Sequence, residues 1–265
     1  MCTYCLIRSQ DVGGPYSESI SMMMLELQST SLPLLIRTPN GTHAVGQNRE
    51  RWLFNPGATS LLHMEMYCFL GKLMGIAIRS KNYLAINLPS IIWKLLVQDA
   101  PLMEDLEEID LHQFQSLHDM RNIHCKGIDR NSFSDIFYET FTTMSSDQRE
   151  VELISGGSDI SVTFDNRLER CDLVENYRLH EFDNQAREVR KGLGSVVPHH
   201  LLTLFTWDQL EVMVCGRITM DLALLKSMTS YSSCLESDDH IKFFWQVMEG
   251  FSDDERSTFL RYVER

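Results

Sequence analysis

The strongest constraint on the fold is a run of apolar and small residues at helical spacing between positions 61 and 78. The run consists of Leu61, Met64, Cys68, Gly71, Met74, Gly75 and Ile78. Residues three and four positions apart lie on one side of an α-helix, so the spacing predicts an amphipathic helix with one buried side. The small residues Gly71, Gly75 and Ala77 indicate that a second helix packs closely against it.

The rest of the hydrophobic pattern is also mainly helical. Further helices are predicted over residues 17–27, after Pro89, after a capping box of Asp110 and Gln113, from Asp172 to Gly192, after a capping box of Thr206 and Gln209, from Asp238 to Gly250 and after Ser252. Short strands are predicted at residues 34–36, 52–54 and 160–164. Phe133, Phe137 and Phe141 recur every four residues and allow a short amphipathic helix. The predicted fold class is therefore mainly α with minor β.

The net charge argues against a nucleic-acid partner, and the hydropathy pattern argues against a membrane span. Lys and Arg number 24 and Asp and Glu 37, which gives a formal net charge of −13. A chain this acidic repels a phosphate backbone, so nucleic acid is not an expected partner. The apolar stretch at 84–96 is interrupted by Asn87, Pro89 and Lys94. It is also shorter than the roughly 20 residues that cross a bilayer, so no membrane span is predicted.

The cysteines indicate a reducing compartment. Their number is seven, which is odd, and they are scattered along the chain, as is typical of free thiols in a cytosolic or nuclear protein. A cytoplasmic location is therefore predicted. Cys2 and Cys5 form a lone pair, whereas a structural zinc site needs about four ligands. No metal site is predicted from them.

The motifs of the common enzyme classes do not occur in this sequence. It has no G-x-S-x-G nucleophile elbow, no G-x-x-x-x-G-K-[ST] phosphate loop and no H-E-x-x-H zinc motif. Gly192 and Gly194 lack the third glycine of a dinucleotide fingerprint. His199 and His200 follow Pro198 at a predicted helix start, where capping or a surface role is favoured over metal binding. Residue chemistry alone predicts no catalytic residue, no metal and no cofactor, and it does not identify the function.

Short motifs nevertheless recur in a fixed order along the chain. They are DVGG at 11–14, FNP at 54–56, YCFLGKLMGIA at 67–77, GGSDISVT at 156–163, RKG at 190–192 followed by VP at 197–198, QLEVMVCG at 209–216, FW at 244–245 and FLRYV at 259–263. In this order and spacing, the set resembles the N-terminal lobe (N-lobe) of HECT-type ubiquitin ligase domains. Residues 14–19 and 38–41 most resemble the large HERC ligases, which join a HECT domain to β-propeller repeats.

The resemblance implies an organisation and an activity. Its fold would be a large helical subdomain at residues 11–111 and 166–265 with a smaller inserted E2-binding subdomain at 112–165, after an atypical segment at 1–10. Family members accept ubiquitin from an E2 enzyme on a C-lobe cysteine and pass it to a substrate lysine. The sequence ends where the hinge and C-lobe would follow, and none of its cysteines lies in the family's catalytic T-C-F-like turn. The chain is therefore expected to be the E2-recruiting N-lobe, with the C-lobe missing, and to be inactive alone.

The expected partners are an E2 enzyme and ubiquitin, with protein substrates bound through regions outside this sequence. The E2 groove is expected to involve Leu117, Met120, Ile123, Phe133 and Phe137. The first three share one face if their helix continues past position 119. The same residues equally fit the core of the small subdomain. An alternative function is a non-catalytic helical scaffold, or a truncated isoform, that sequesters an E2 or a regulator.

Overall fold

The computed structural model describes residues 14–216, 222–232 and 234–251, together with Arg256 and Phe259. Its helices are α1 (Gly14–Leu27), α2 (Pro39–His43), α3 (Leu61–Ser80), α4 (Ser90–Val97), α5 (Met103–Ile109), α6 (Leu111–Arg121), α7 (Arg130–Ile136), α8 (Arg167–His180), α9 (Asp183–Gly194), α10 (His199–Leu202), α11 (Trp207–Cys215), α12 (Leu222–Met228) and α13 (Asp239–Gly250). Its strands are β1 (Leu35–Arg37), β2 (Trp52–Phe54), β3 (Thr142–Met144) and β4 (Glu150–Glu152). Short 3₁₀ turns cover Ile123–Lys126 and Gly157–Asp159. The predicted fold class, mainly α with minor β, is confirmed.

Helices α3 and α9 form the closest packed pair at the centre of the molecule. A Cβ atom added at Gly71 of α3 would lie 1.9 Å from the Val189 carbonyl oxygen. A Cβ atom added at Gly192 of α9 would lie 1.8 Å from the Cys68 carbonyl oxygen. The two backbones therefore touch where each helix carries a glycine, and the predicted close packing of the first helix is confirmed.

The small sheet of β1 and β2 closes one side of this helical core. Its strands run antiparallel, with Leu35 opposite Phe54. The Tyr67 hydroxyl of α3 donates a hydrogen bond to the Leu34 carbonyl oxygen at 2.6 Å. Burial raises the pKa of Tyr67 above its usual value, so the hydroxyl stays a neutral donor at physiological pH.

By length and composition alone, α3 is the one helix among the described residues that could cross a membrane. Core helices of globular proteins have the same apolar character, because they bury one side. Tyr67, Leu70 and Met74 of α3 are buried in the core, whereas Leu61, Leu62 and Phe69 of the same helix are exposed.

The single helix predicted from Asp172 to Gly192 is wrong, because the structure divides this stretch into α8 and α9. The division falls at Glu181 and Phe182. The Phe182 side chain is fully buried, and both Glu181 carboxylate oxygens accept hydrogen bonds from Ser146. Tertiary contacts of these two residues accompany the interruption of the helix, and the helical spacing of the sequence does not reveal them.

The strand predicted at residues 160–164 is also wrong. This stretch makes one isolated bridge, between Thr140 and Ser161, and then turns. The Asn166 side chain accepts a hydrogen bond from the Thr163 backbone N–H at 2.6 Å, which favours a turn over a continued ladder. A hairpin of β3 and β4 lies nearby instead, with Thr143 opposite Val151. Its short, largely polar strands lack the alternation that identifies a strand in sequence.

The phenylalanine stripe is only partly helical. Phe133 lies in α7, which ends before Phe137, and Phe141 lies outside the helix. The helix predicted after Ser252 lies outside the described residues. The chain-wide division into a large and a small subdomain stays a prediction.

Substituting Gly71→Ala is expected to lower the free energy of unfolding by about 1–3 kcal/mol, because the new methyl group would overpack the contact with α9. Gly250→Ala is the matched control, since a Cβ atom at Gly250 meets no atom within 4 Å. Thermal unfolding of both variants measures the difference. Equal midpoints for Gly71→Ala and Gly250→Ala would contradict the proposed contact.

Candidate functional site

The five residues predicted to contact an E2 belong to one apolar cluster of the fold. Leu117, Met120, Ile123 and Phe133 are each exposed by 3% or less, and Phe137 is half-buried against them. The rings of Phe133 and Phe137 stack with centroids 4.9 Å apart. In this conformation, almost no surface is exposed to a partner by Leu117, Met120, Ile123 and Phe133. Their contact with an E2 stays a prediction.

Exposed apolar side chains lie directly beside this buried cluster. Ile136 at the end of α7 is 51% exposed, and Tyr138 is 83% exposed. They flank Phe137 on the segment that leaves α7. The Tyr138 hydroxyl donates a hydrogen bond to the Asp135 carbonyl oxygen at 3.0 Å, which tethers the ring to the last turn of the helix. We call the surface of Ile136, Phe137 and Tyr138 the α7 apolar edge.

The beginning of α7 is fixed by a capping box. The Asp129 carboxylate accepts hydrogen bonds from the backbone N–H groups of Ser132 at 2.9 Å and Asn131 at 3.1 Å. In return, the Ser132 hydroxyl accepts a hydrogen bond from the Asp129 backbone N–H at 3.0 Å. The bonds from Ser132 hold the pKa of Asp129 below its usual value. The cap is therefore present above the usual pKa of an aspartate and is lost as the pH falls through the lowered pKa.

Arg178 of α8 is a buried cation that joins three parts of the structure. Its guanidinium donates hydrogen bonds to Asp110 at 3.0 Å, to Glu181 at 2.9 Å, to the Ser146 hydroxyl at 3.1 Å and to the Met144 carbonyl oxygen at 3.3 Å. Burial lowers the pKa of Arg178, but Glu181 and Asp110 outweigh it and raise the pKa above its usual value. The guanidinium therefore stays charged and connects the start of α6, the break between α8 and α9, and the β3–β4 hairpin.

A second arginine of α8 holds the segment that follows the α7 apolar edge. The Arg170 guanidinium donates hydrogen bonds to the carbonyl oxygens of Thr140 at 2.8 Å and Thr142 at 3.1 Å. It also pairs with the Glu139 carboxylate at 2.8 Å. Residues 139–144 are therefore anchored to α8 at both ends, by Arg170 and by Arg178.

Sequence reasoning missed these two arginines, although the sequence carries a signal for them. Arg170, Val174 and Arg178 are spaced by four residues and lie on the same face of α8. Val174 is fully buried, so arginines in phase with it are expected to be buried and paired. The α7 apolar edge was missed as well, because Ile136 and Tyr138 are out of phase with the phenylalanine stripe.

Two buried thiols of the described structure, Cys215 and Cys171, have raised pKa values. Burial raises the pKa of Cys215 to about 12, and its Sγ lies 3.5 Å from the Ile86 carbonyl oxygen as a hydrogen-bond donor. Burial also raises the pKa of Cys171. Because the thiolate is the nucleophilic form of cysteine, both are poor acceptors for an acyl group. In the described ranges, no group of His, Cys, Asp and Glu side chains is arranged to hold a metal ion.

The chain matches one family model over most of its length. The model of the HECT domain, described as a ubiquitin transferase, covers residues 21–263. Human E3 ubiquitin-protein ligase HERC2 is 43% identical over 253 residues, which are 96% of this chain and 5% of the relative. Human probable E3 ubiquitin-protein ligase HECTD4 is 31% identical over 94% of this chain and 7% of the relative.

A more distant relative from yeast is also much longer than the part that this chain matches. E3 ubiquitin-protein ligase TOM1 of Saccharomyces cerevisiae is 25% identical over 260 residues, which are 96% of this chain and 7% of the relative. The chain thus spans a small part of the length of each of these relatives, between 5% and 7%.

Substituting Arg178→Met is expected to cost about 3–5 kcal/mol of unfolding free energy, because Glu181 and Asp110 would remain without their buried cation. The matched control is Arg149→Met on the same hairpin. Arg149 is 56% exposed in its side chain and pairs with Asp147, so its loss is expected to cost less than about 1 kcal/mol. Urea unfolding measures both. A loss for Arg178→Met no larger than that of the control would show that the buried cluster contributes little.

Proposed function

Because this chain belongs to the HECT family of ubiquitin transferases, we propose that it recruits a ubiquitin-charged E2 enzyme for ubiquitin transfer to a substrate lysine. The relatives that support this are named E3 ubiquitin-protein ligases, and HERC2 matches almost the whole chain. In this function the chain is the N-lobe, and its partners are the E2 and ubiquitin. Protein substrates would be held by other parts of the longer ligase. The scattered cysteines support a cytoplasmic location.

We assign E2 docking to residues 112–165, which we call the docking unit. This unit is inserted between the flanking parts of the N-lobe at 11–111 and 166–265. The observation that carries this assignment is the α7 apolar edge, where Tyr138 is 83% exposed beside a buried apolar cluster. Tyrosine is enriched among the residues that dominate binding energy at protein interfaces. Phe137 would contact the E2 at the rim of the cluster.

The remaining predicted residues would act from beneath this surface. Leu117, Met120, Ile123 and Phe133 are part of the core that continues into the neighbouring helices, so they would fix the orientation of Phe137 and its neighbours. The arginines of α8 would keep the following segment in place. A rigid, supported patch loses less conformational entropy on binding than a mobile one, which favours affinity.

The thiols support a second part of the proposal, that the 265-residue chain by itself accepts no ubiquitin. Transfer from an E2 requires attack by a thiolate on the E2 thioester, with the E2 thiol as leaving group. The pKa values of Cys215 and Cys171 are raised by burial, so these thiols are protonated at neutral pH. Arg121 and Arg170 lower the pKa of Cys171, but burial outweighs them, and neither thiol is exposed as an activated catalytic cysteine is.

Substituting Tyr138→Ala is expected to weaken E2 binding by about tenfold or more, because an interface hot spot contributes roughly 2 kcal/mol. Tyr83→Ala is the matched control, since Tyr83 is 56% exposed and lies outside the docking unit. Biolayer interferometry against a panel of ubiquitin-charged E2 enzymes measures the affinities. Phe137→Ala is a second variant, whose thermal unfolding is recorded together with its binding.

The outcomes of this experiment separate the two candidate functions. Loss of binding in Tyr138→Ala with unchanged thermal unfolding supports docking at the α7 apolar edge. Unchanged binding in folded Tyr138→Ala and Phe137→Ala variants would place the E2 elsewhere. Failure of every E2 in the panel to bind the unmodified chain would favour the alternative, a helical scaffold without a role in E2 recruitment.

Incubation with E1, E2, ubiquitin and ATP is expected to leave this chain without a thioester-linked ubiquitin. The reasons are that the buried thiols Cys171 and Cys215 are protonated and that none of the seven cysteines lies in the catalytic T-C-F-like turn of the family, so the E2 should keep its ubiquitin. A non-reducing gel, run with and without dithiothreitol, detects the adduct. A dithiothreitol-sensitive ubiquitin adduct that disappears when one cysteine is replaced by serine would overturn this expectation.

A further inference from the structure

A small cavity opens between the end of α4 and the outer side of α9, away from the docking unit. Its volume is about 260 Å³. Leu95, Pro101 and Ala186 are buried and supply its apolar lining. Arg187 and Arg190 of α9 line the same cavity. Ligand sites combine an apolar lining with a few polar groups in this way.

The two arginines form a pair of like charges with no counter-charge in contact. They are three residues apart on α9, so their side chains leave the helix on the same side. Neither guanidinium has a hydrogen bond or an ion pair with any other residue that the structure describes. Such a pair destabilises an isolated helix, because the two cations repel each other.

Arg190 is the more enclosed of the two. Burial lowers the pKa of Arg190, Asp183 raises it and the neighbouring charge of Arg187 lowers it, so that the pKa lies below its usual value. A cation with a perturbed pKa that lines a cleft is a candidate residue of a functional site.

No carboxylate among the described residues is hydrogen-bonded or ion-paired to either arginine of the cavity. Asp183 lies 3.2 Å from the imidazole Nδ1 of His180, and its charge reaches Arg190 only without direct contact, as the rise that it causes in the pKa of Arg190 shows. Asp99 stands on the opposite rim and is exposed to solvent. The cavity therefore offers two guanidinium groups whose hydrogen-bond donors are free.

We propose that this cavity binds a phosphate group through the guanidinium groups of Arg187 and Arg190. Two monovalent cations balance one phosphate dianion, whereas a single carboxylate would leave one of the arginines without its counter-charge. The planar guanidinium also presents paired N–H donors that match the oxygens of a phosphate. The phosphate can belong to a phosphorylated side chain of a partner or be free inorganic phosphate.

Phosphate titration of the full chain tests this site. Isothermal titration calorimetry with inorganic phosphate, with an N-acetylated and C-amidated phosphoserine, and with acetate is carried out at matched ionic strength. Saturable binding of inorganic phosphate or of phosphoserine, with acetate at least about tenfold weaker, is expected. Tighter binding of phosphoserine assigns the site to a phosphorylated side chain, and equal or weaker binding assigns it to free phosphate. The absence of saturable binding of both phosphate ligands would overturn the proposal.

Matched variants locate the binding and separate it from a structural role. Arg190→Gln and Arg187→Gln should each weaken phosphate binding by at least about tenfold, because each removes one guanidinium group with its charge and its paired N–H donors. Arg79→Gln is the control, since Arg79 is an exposed arginine of α3 outside the cavity, and should bind as the unmodified chain does. In chloride buffer, Arg190→Gln should unfold at the same or a higher temperature, because it relieves the repulsion. A lower unfolding temperature, or an equal loss of binding in Arg79→Gln, would overturn the assignment.

Discussion

The contact of α3 with α9 is the constraint on which the rest of the structure depends. Gly71 faces the Val189 carbonyl oxygen and Gly192 faces the Cys68 carbonyl oxygen, so no side chain separates the two backbones at these points. This contact fixes the position of α9, which α8 precedes after a break at Glu181 and Phe182. The arginines of α8 in turn position the hairpin and the segment that follows α7.

Arg178 and its four hydrogen-bond acceptors form a buried polar cluster, which we call the Arg178 cluster. Its ion pairs and hydrogen bonds, rather than apolar packing, position the hairpin of the docking unit. A buried ion pair gains little net stability over a well-packed apolar core, but the loss of one member leaves the other buried and unpaired. Arg178 has four hydrogen-bond acceptors on three segments, so few alternative packings satisfy it. We infer that the cluster specifies the placement of the hairpin more than it adds to overall stability.

The sequence predicts the elements whose causes are local. The apolar face of α3, the Asp110 hydrogen bond that begins α6 and the capping box of Thr206 and Gln209 all depend on residues a few positions apart, and all are observed. The break before α9 and the turn at residues 160–164 depend on contacts between distant segments, so spacing alone gave the wrong result. The same distinction between local causes and long-range contacts applies to the candidate site. Its apolar cluster was recognised from periodicity, whereas its exposed edge and its arginine anchors require the folded arrangement.

We propose that the α7 apolar edge receives a ubiquitin-charged E2. Hydrogen–deuterium exchange of the chain, with and without such an E2, tests this directly because the method reports where backbone amides become protected. Protection on binding is expected to be greatest in residues 130–144, around Tyr138, and small in α3 and α9. Protection confined to α12, α13 or the outer side of α9, with none in residues 130–144, would contradict it.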